Sequence, residues 1–395
     1  VALLLDRLFS SVALSHLAVD LVNGQRGIFL AYLSIPLGLT NAAVGLVSTI
    51  YAFAASLSQP LFGFLSDRLG ARWVVAGGVL WMMSFFTLAL FAQSAWALVF
   101  LVIASVGSGA FHPAGSAQAT ALGRNHLAGR EATAASYFFV FGQAGYFFGP
   151  LAGGPLLDRF GPPGLLVIAA ACLPISLFAG WELRRLPVPQ VRWAGSPLKI
   201  RSPLISFRAP ASVVVALVLV AAFQSWIQQS MNTFLPKYLA DLGQPASIYG
   251  AISGIYMGGY ALGNLAGGNL ADRIGRRRVI ITSMLLSFLP LSLIAYAQTS
   301  FWLYILVFLA GLMTGSAFTV IVVIGQGMLP GGEGLASGLI LGFLFSAGAL
   351  GVLGSGYLAD LFGFQAIFYL SGLLALLASL AAIGLQRDKT SAIVV

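Results

Sequence analysis

Gly63-Phe64-Leu65-Ser66-Asp67-Arg68-Leu69-Gly70 has the form G-x-L-x-D-x-x-G, and the chain repeats that form at 154–161, 268–275 and 356–363, each time closing a long apolar run. The first and third copies start 205 residues apart (63 to 268), and the second and fourth 202 apart (154 to 356). Such spacing describes two similar halves, each built from two similar quarters. Self-similarity on this scale decides the fold before any local reading does. In a membrane chain, nested repeats point to a transporter whose substrate site lies between the halves.

The rest of the sequence agrees that the chain is a membrane protein. It has 395 residues, 59% hydrophobic and 8% charged, with a mean hydropathy of +0.94. A soluble domain carries about 25% charged residues, so a water-soluble globule is excluded. Apolar runs long enough to span are predicted at 8–34, 42–66, 73–92, 95–121, 131–157 and 163–183, then at 210–236, 246–271, 279–298, 301–328, 335–359 and 364–385. The expected fold is therefore all-α, with twelve transmembrane helices in two pseudo-symmetric six-helix bundles. The bundles cover 1–185 and 210–395, and a basic cytoplasmic linker joins them at 186–209. No small-residue cleavage site follows the first span, so a removable signal peptide is not expected.

Basic residues test the count. With both termini cytoplasmic, 17 of the 20 Lys and Arg fall on the inner side, Arg159 and Lys237 fall outside, and Arg26 lies within a span. That asymmetry follows the positive-inside rule. The net charge of +9 reflects orientation and contact with anionic head groups of the bilayer, not nucleic acid. Cys172 is the only cysteine, which excludes an intramolecular disulfide, and three histidines are too few for a metal cluster. No cofactor is expected, apart from a proton as coupling ion. The protein is expected to act as a monomer.

Copies one and three carry extra arginines on the inner side, up to Gly268-Asn269-Leu270-Ala271-Asp272-Arg273-Ile274-Gly275-Arg276-Arg277. Here the chain resembles the major facilitator superfamily, whose loop signature reads G-x-L-a-D-r-x-G-r-k. The first copy departs from it only at Ala71. An Asp at such a turn can accept hydrogen bonds from a helix N-terminus. Asp67, Arg68, Arg72, Asp272, Arg273 and Arg277 are therefore candidate gating residues of a latch between the halves. The alternative is that they simply pin a tight turn.

In span five, Gly145-Tyr146-Phe147-Phe148-Gly149-Pro150-Leu151-Ala152-Gly153-Gly154 is similar to the antiporter signature of drug/proton exchangers in that superfamily. Gly145, Gly149, Gly153 and Gly154 allow close helix contact, and Pro150 bends the helix. Ordinary glycine-rich packing is the other reading.

Elimination isolates the charges inside the membrane. Of eleven acids, only Asp20 lies deep in a span, about 18 Å along its helix. An intramembrane acid is costly and points to function. His16 lies one turn earlier on the same face, and His112 is the other intramembrane histidine. Asp20 is the candidate proton-coupling site, tuned by His16 and His112; a helix-packing Asp bonded to His remains the alternative.

Arg26 either binds an anionic substrate group, holds Asp20 ionised, or snorkels to the outer head groups. Span seven carries a polar stripe of Gln224, Gln228 and Asn232. These join Asn23, Gln143 and Tyr256 as candidate substrate-binding residues, or as helix-to-helix hydrogen bonds.

Leu14-Ser15-His16-Leu17-Ala18-Val19-Asp20, Phe111-His112-Pro113 and the turn Met328 to Leu339 resemble the fosmidomycin-resistance branch of the superfamily. Arg26 is not part of that pattern. The resemblance implies a bacterial inner-membrane, multi-pass antiporter that exports a small organic compound or drug against protons, a basis of antibiotic resistance. The alternative is a solute importer or lipid-related translocator of the same fold. An enzyme is not expected: Ser116 near His112 is poor triad geometry for an intramembrane protease.

Overall fold

The computed structural model describes residues 2–92, 94–126, 131–185, 209–328 and 333–386. The predicted linker segment 186–208 lies outside them. After a short turn at Ala2–Leu5, the first half comprises α1 (Arg7–Ser34), α2 (Asn41–Leu69), α3 (Ala71–Phe91), α4 (Trp96–His126), α5 (Glu131–Phe160) and α6 (Leu166–Glu182). The second half comprises α7 (Ala211–Asp241), α8 (Ala246–Ile274), α9 (Arg276–Ala297), α10 (Phe301–Met328), α11 (Glu333–Phe362) and α12 (Phe364–Ala381). Each predicted span corresponds to one helix, and no strand occurs among the described residues.

The last glycine of each octapeptide has a mechanical explanation. Gly70, Gly161, Gly275 and Gly363 have φ of 84°, 63°, 96° and 80°, a region that L side chains avoid and glycine enters freely. Gly70 and Gly275 end one helix by donating to the Ser66 and Ala271 carbonyls, and the next helix starts at the following residue. The first, third and fourth repeats are thus one-residue reversals between two long helices, and at the second a short 3-10 turn, Pro162–Leu165, follows the glycine. Other ends are capped by side chains: the carboxylate of Asp6 accepts from Phe9 N at 2.8 Å and Thr40 Oγ1 accepts from Ala43 N at 3.1 Å, as N-caps do.

Lipid supplies no hydrophobic force between helices, so close backbone approach does the packing. In α8 and α10, any Cβ at Gly259, Gly263, Gly267, Gly311 or Gly315 would run into a backbone carbonyl of the partner helix. Large apolar side chains such as Trp73, Leu177 and Leu361 remain exposed on the outside of the bundle, where the acyl chains lie.

Nine of the described helical segments are long and apolar enough to cross a membrane by composition alone. The three long helices outside that set are α1, α5 and α8. These carry the polar and glycine-rich faces that meet in the middle of the molecule. Their lower hydropathy is a consequence of facing protein rather than lipid.

The halves meet along their outer ends, where α5 packs on α8 and α11 on α2. One apolar cluster runs through the first half into the outer parts of α7, α8, α10 and α12. The inner part of the second half has a separate cluster around Val213, Val279, Met284 and Ile321. The core is thus continuous between the halves only toward the outside.

Candidate functional site

The outer closure is built twice, by pseudo-symmetry. Asp158 of the second octapeptide accepts hydrogen bonds from Ala246 N (2.6 Å) and Ser247 N (2.8 Å), the first residues of α8. Asp360 of the fourth accepts from Asn41 N (2.9 Å) and Ala42 N (2.8 Å), the first residues of α2. Each carboxylate thus caps a helix of the opposite half, meeting unpaired N–H groups and the positive end of the helix dipole. Glycines let the backbones close in: Cβ atoms at Gly154 and Gly250 would strike the Ala246 and Pro150 carbonyls. At the mirror site, a Cβ at Gly356 would lie 2.5 Å from the Asn41 carbonyl and one at Gly45 2.9 Å from the Val352 carbonyl. Thr49 Oγ1 adds a 2.7 Å bond to the Ala349 carbonyl.

Sequence reasoning placed this kind of bond on copies one and three and left Asp158 and Asp360 among the loop acids. Asp272 and Arg273 are exposed, Arg277 is half-buried, and the Asp67 side chain lies outside the described residues. The Arg68 guanidinium lies 4.2 Å from the centre of the Phe64 ring and that of Arg72 lies 4.5 Å from Trp73. Among the described residues, the bonding pattern expected of the inner latch is seen at the outer pair. The available signal was the shared octapeptide itself: all four copies carry the Asp.

In the span-five signature, Gly145 and Gly149 bring α5 against α1. A Cβ at Gly145 would lie 2.6 Å from the Leu17 carbonyl, and one at Gly149 would collide with that of Leu21. Gly153 abuts Ile28 and Gly154 faces α8, while Pro150 touches Gly24. The signature therefore fits α5 between α1 of its own half and α8 of the other.

Beside it, deep in the first half, Asp20, His16 and His112 come together. Their ligating atoms all lie within 4.8 Å of one another. His16 Nε2 is 3.1 Å from Asp20 Oδ2, and His112 Nε2 is 3.7 Å from Asp20 Oδ1. The remaining ring nitrogens are committed: His16 Nδ1 lies 2.8 Å from the Phe138 carbonyl and His112 Nδ1 2.8 Å from that of Ser108. A carbonyl only accepts, so both Nδ1 atoms carry hydrogen and both Nε2 atoms face the carboxylate. With no further proton, nitrogen lone pairs would oppose carboxylate lone pairs in a dry interior.

Phe138 stacks on His16 at 4.0 Å between ring centres and fixes its plane. Gly142 lets the pair pack directly against α5, since a Cβ there would lie 2.5 Å from His16 Nε2 and 2.6 Å from Asp20 Oδ2. Asp20 is buried, whereas the His112 side chain is 27% exposed, which makes His112 the most exposed member. An ion-ligating arrangement of two imidazoles and a carboxylate is thus present where sequence reading expected no metal cluster, although three suitable atoms do not by themselves call for an ion.

The network continues outward. Asn23 Nδ2 donates to Asp20 Oδ1 at 2.8 Å and to Ser108 Oγ at 3.0 Å, and Asn23 Oδ1 accepts from the Tyr51 hydroxyl at 2.6 Å. Arg26 lies 5.1 Å from the centre of the Tyr51 ring. Sequence analysis missed Tyr51 and Ser108, which lie on α2 and α4 and join the site only through tertiary packing.

Arg26, Asn23, Tyr146 and Pro150 line a narrow cleft with Asn232, Ser253 and Met257 of the second half. Gln143 is half-buried, and its Oε1 has no hydrogen-bond partner. Gln228 is half-buried on α7. Gln224 and Tyr256, expected at a substrate surface, lie inside the second bundle. Gln224 Nε2 donates to the Tyr260 hydroxyl at 3.1 Å, and the Tyr256 hydroxyl lies 3.4 Å from Thr314 Oγ1. In this state they hold α7, α8 and α10 together.

A family model described as Major Facilitator Superfamily matches residues 8–245 and 217–393. The chain belongs to the Major Facilitator Superfamily. The fosmidomycin resistance protein of Escherichia coli (strain K12) is 30% identical over 380 residues, covering 94% of this chain and 91% of that protein. The multidrug resistance protein MdtG of Citrobacter koseri is 28% identical over 349 residues, covering 83% and 81%. Among solved structures, the nucleoside transporter NupG superposes with a TM-score of 0.72 at 20% identity, covering 95% of this chain and 98% of that one. A bacterial homologue of the lysosomal transporter Spinster gives 0.73 at 14%, covering 95% and 96%. Likeness at that identity speaks for the fold alone. This member of the superfamily is accordingly a multi-pass inner-membrane transporter of small molecules and not an enzyme.

Proposed function

We propose that this transporter exports a small organic compound in exchange for protons, by alternating access of a central cleft to the two sides of the membrane. The observation that carries the reading is the packing of His16 and His112 around the buried Asp20 carboxylate. Two imidazoles aim bare Nε2 atoms at one carboxylate, an arrangement that holds one proton as a neutral set and two as a cationic one. A buried cluster of this kind gains or loses a proton when its surroundings change polarity.

Coupling runs through the side chains between cluster and cleft. Asn23 donates to Asp20 and is held by Tyr51, on whose ring Arg26 rests. A substrate that displaces Arg26 would move Tyr51, loosen the Asn23 donor and change the carboxylate's hold on its proton. His112, the most exposed member, would pass that proton to water. The names of the relatives, resistance to fosmidomycin and to multiple drugs, favour export over uptake.

Counterflow in proteoliposomes with an imposed pH gradient and a panel of drugs tests the reading. Substrate-induced proton release is expected, and Asp20→Asn should abolish gradient-driven flux while retaining gradient-independent exchange. Proton-driven transport that persists in Asp20→Asn would rule out this coupling site.

A further inference from the structure

The coupling relay uses the contact of Arg26 with Tyr51 but does not explain why that position carries a buried positive charge. Arg26 is only 7% exposed, so it does not reach the outer head groups. Among the described residues its guanidinium has no hydrogen-bond or ion-pair partner, only the face of the Tyr51 ring at 5.1 Å. Arginine stays charged in proteins, and an aromatic face returns only part of what burying an unpaired cation costs. Asp20, the nearest acid on the helix, has its carboxylate engaged by His16 and Asn23.

The cleft that Arg26 lines has one cation and no acid among its walls. Two further residues with donor side chains line it, Tyr146 from α5 and Asn232 from α7, neither side chain with a hydrogen-bond partner among the described residues. Three side chains that carry unpaired donors therefore line one cleft, from α1, α5 and the opposite half, and no acidic side chain lies among the lining residues. An anion is the partner that would balance the buried guanidinium.

We propose that Arg26 is the recognition residue for an anionic group of the transported compound, a carboxylate or a phosphonate or phosphate monoester, with Tyr146 and Asn232 as accessory donors. This rests on the central cleft being the transport pathway. The planar guanidinium fork suits either oxyanion in a bidentate grip. The cleft here has only about 10 Å³ for water centres, room for about one water, so the anion seats as the halves part. Asn232 places one contact across the boundary between the halves. Its carbonyl lies against Gly27, where a Cβ would collide with it, so the anion is held where α1 and α7 separate.

Calorimetric titration of the purified protein in detergent tests this with phenylphosphonate, benzoate and uncharged benzamide as probes. At least one anion is expected to bind while benzamide does not, and the stronger of the two identifies the oxyanion. Arg26→Gln should weaken that binding at least tenfold, and Arg26→Lys should retain an intermediate affinity, since it keeps the charge without the fork. Gel filtration and circular dichroism establish that both variants are folded; if Arg26→Gln does not fold, the Lys variant carries the comparison. Failure of wild type to bind either anion overturns the proposal, as does equal binding of benzamide or undiminished binding to both variants. The pH-gradient assay separates the two readings. Wild type exchanging uncharged or cationic drugs for protons while binding neither anion would leave the exporter standing and remove only the anion site.

Discussion

Replacing Asp158 and Asp360 together by Asn should open the outer face. Each carboxylate receives two backbone N–H groups from the first turn of a helix in the other half. Asparagine keeps one acceptor oxygen, turns an NH2 group toward the other N–H, and removes the charge facing the helix dipole. A hydrogen bond to a charged group contributes about 1.5–3 kcal/mol, and charge at a helix end about 0.3–1 kcal/mol at exposed sites. Three of the four bonds lie at exposed positions, so solvent reduces the loss to about 1–2 kcal/mol per site. Two sites together give about 2–4 kcal/mol, or a shift of about 30- to 700-fold in the equilibrium between outer-closed and outer-open forms. Spin labels at Ile35 and Leu242, exposed in outer loops of different halves, would report it once the buried Cys172 is replaced by Ala. Wild type should give one short distance distribution and the double variant a substantial longer component. Identical distributions in a folded double variant would show that these carboxylates do not hold the outer face shut.

Tyr51→Phe should uncouple the two sites: the ring stays beneath Arg26, but Asn23 Oδ1 loses its donor, at about 1–3 kcal/mol. Proton release per substrate should fall with little change in substrate affinity, and an unaltered ratio in reconstituted vesicles would refute the relay. Gly149→Val drives a branched side chain into the Leu21 carbonyl, so the melting temperature should drop by an amount matching about 1–3 kcal/mol of overpacking; unchanged melting would mean that α1 and α5 are not held this tightly. Glu182 is fully buried between exposed Arg7 (3.3 Å) and Arg185 (2.9 Å) at the inner ends of α1 and α6. Removing both arginines strands a buried carboxylate at about 3–5 kcal/mol, whereas Glu182→Leu should be nearly neutral; thermal melts that reverse this order would contradict the arrangement.

How far the site was legible depended on whether its signal lay along one helix. His16 and Asp20 are one turn apart, so periodicity places them together. His112 could be nominated only because intramembrane histidines are scarce. Tyr51, Ser108 and Phe138 carry no mark in the sequence, because a hydroxyl or ring on another helix becomes a partner only when packing brings it within 3 Å or so. Gln224 and Tyr256 show the converse: a polar stripe is equally suited to a wet cavity and to a helix contact, and the structure uses these two for contact. Glu182 was placed at a span end, and only folding buried it.

The sequence by itself determined the twelve spans, their orientation and the division into two halves, because lipid demands long apolar helices and the repeats record their own periodicity. The spans follow from local composition, and the reversals follow from a glycine that alone tolerates positive φ. Tertiary structure alone decided that Asp158 and Asp360 cap helices of the opposite half, and that Arg26 is left buried beside a cleft. Those outcomes depend on how the two bundles are tilted against each other, and a long-range arrangement of that kind leaves no local trace in the chain.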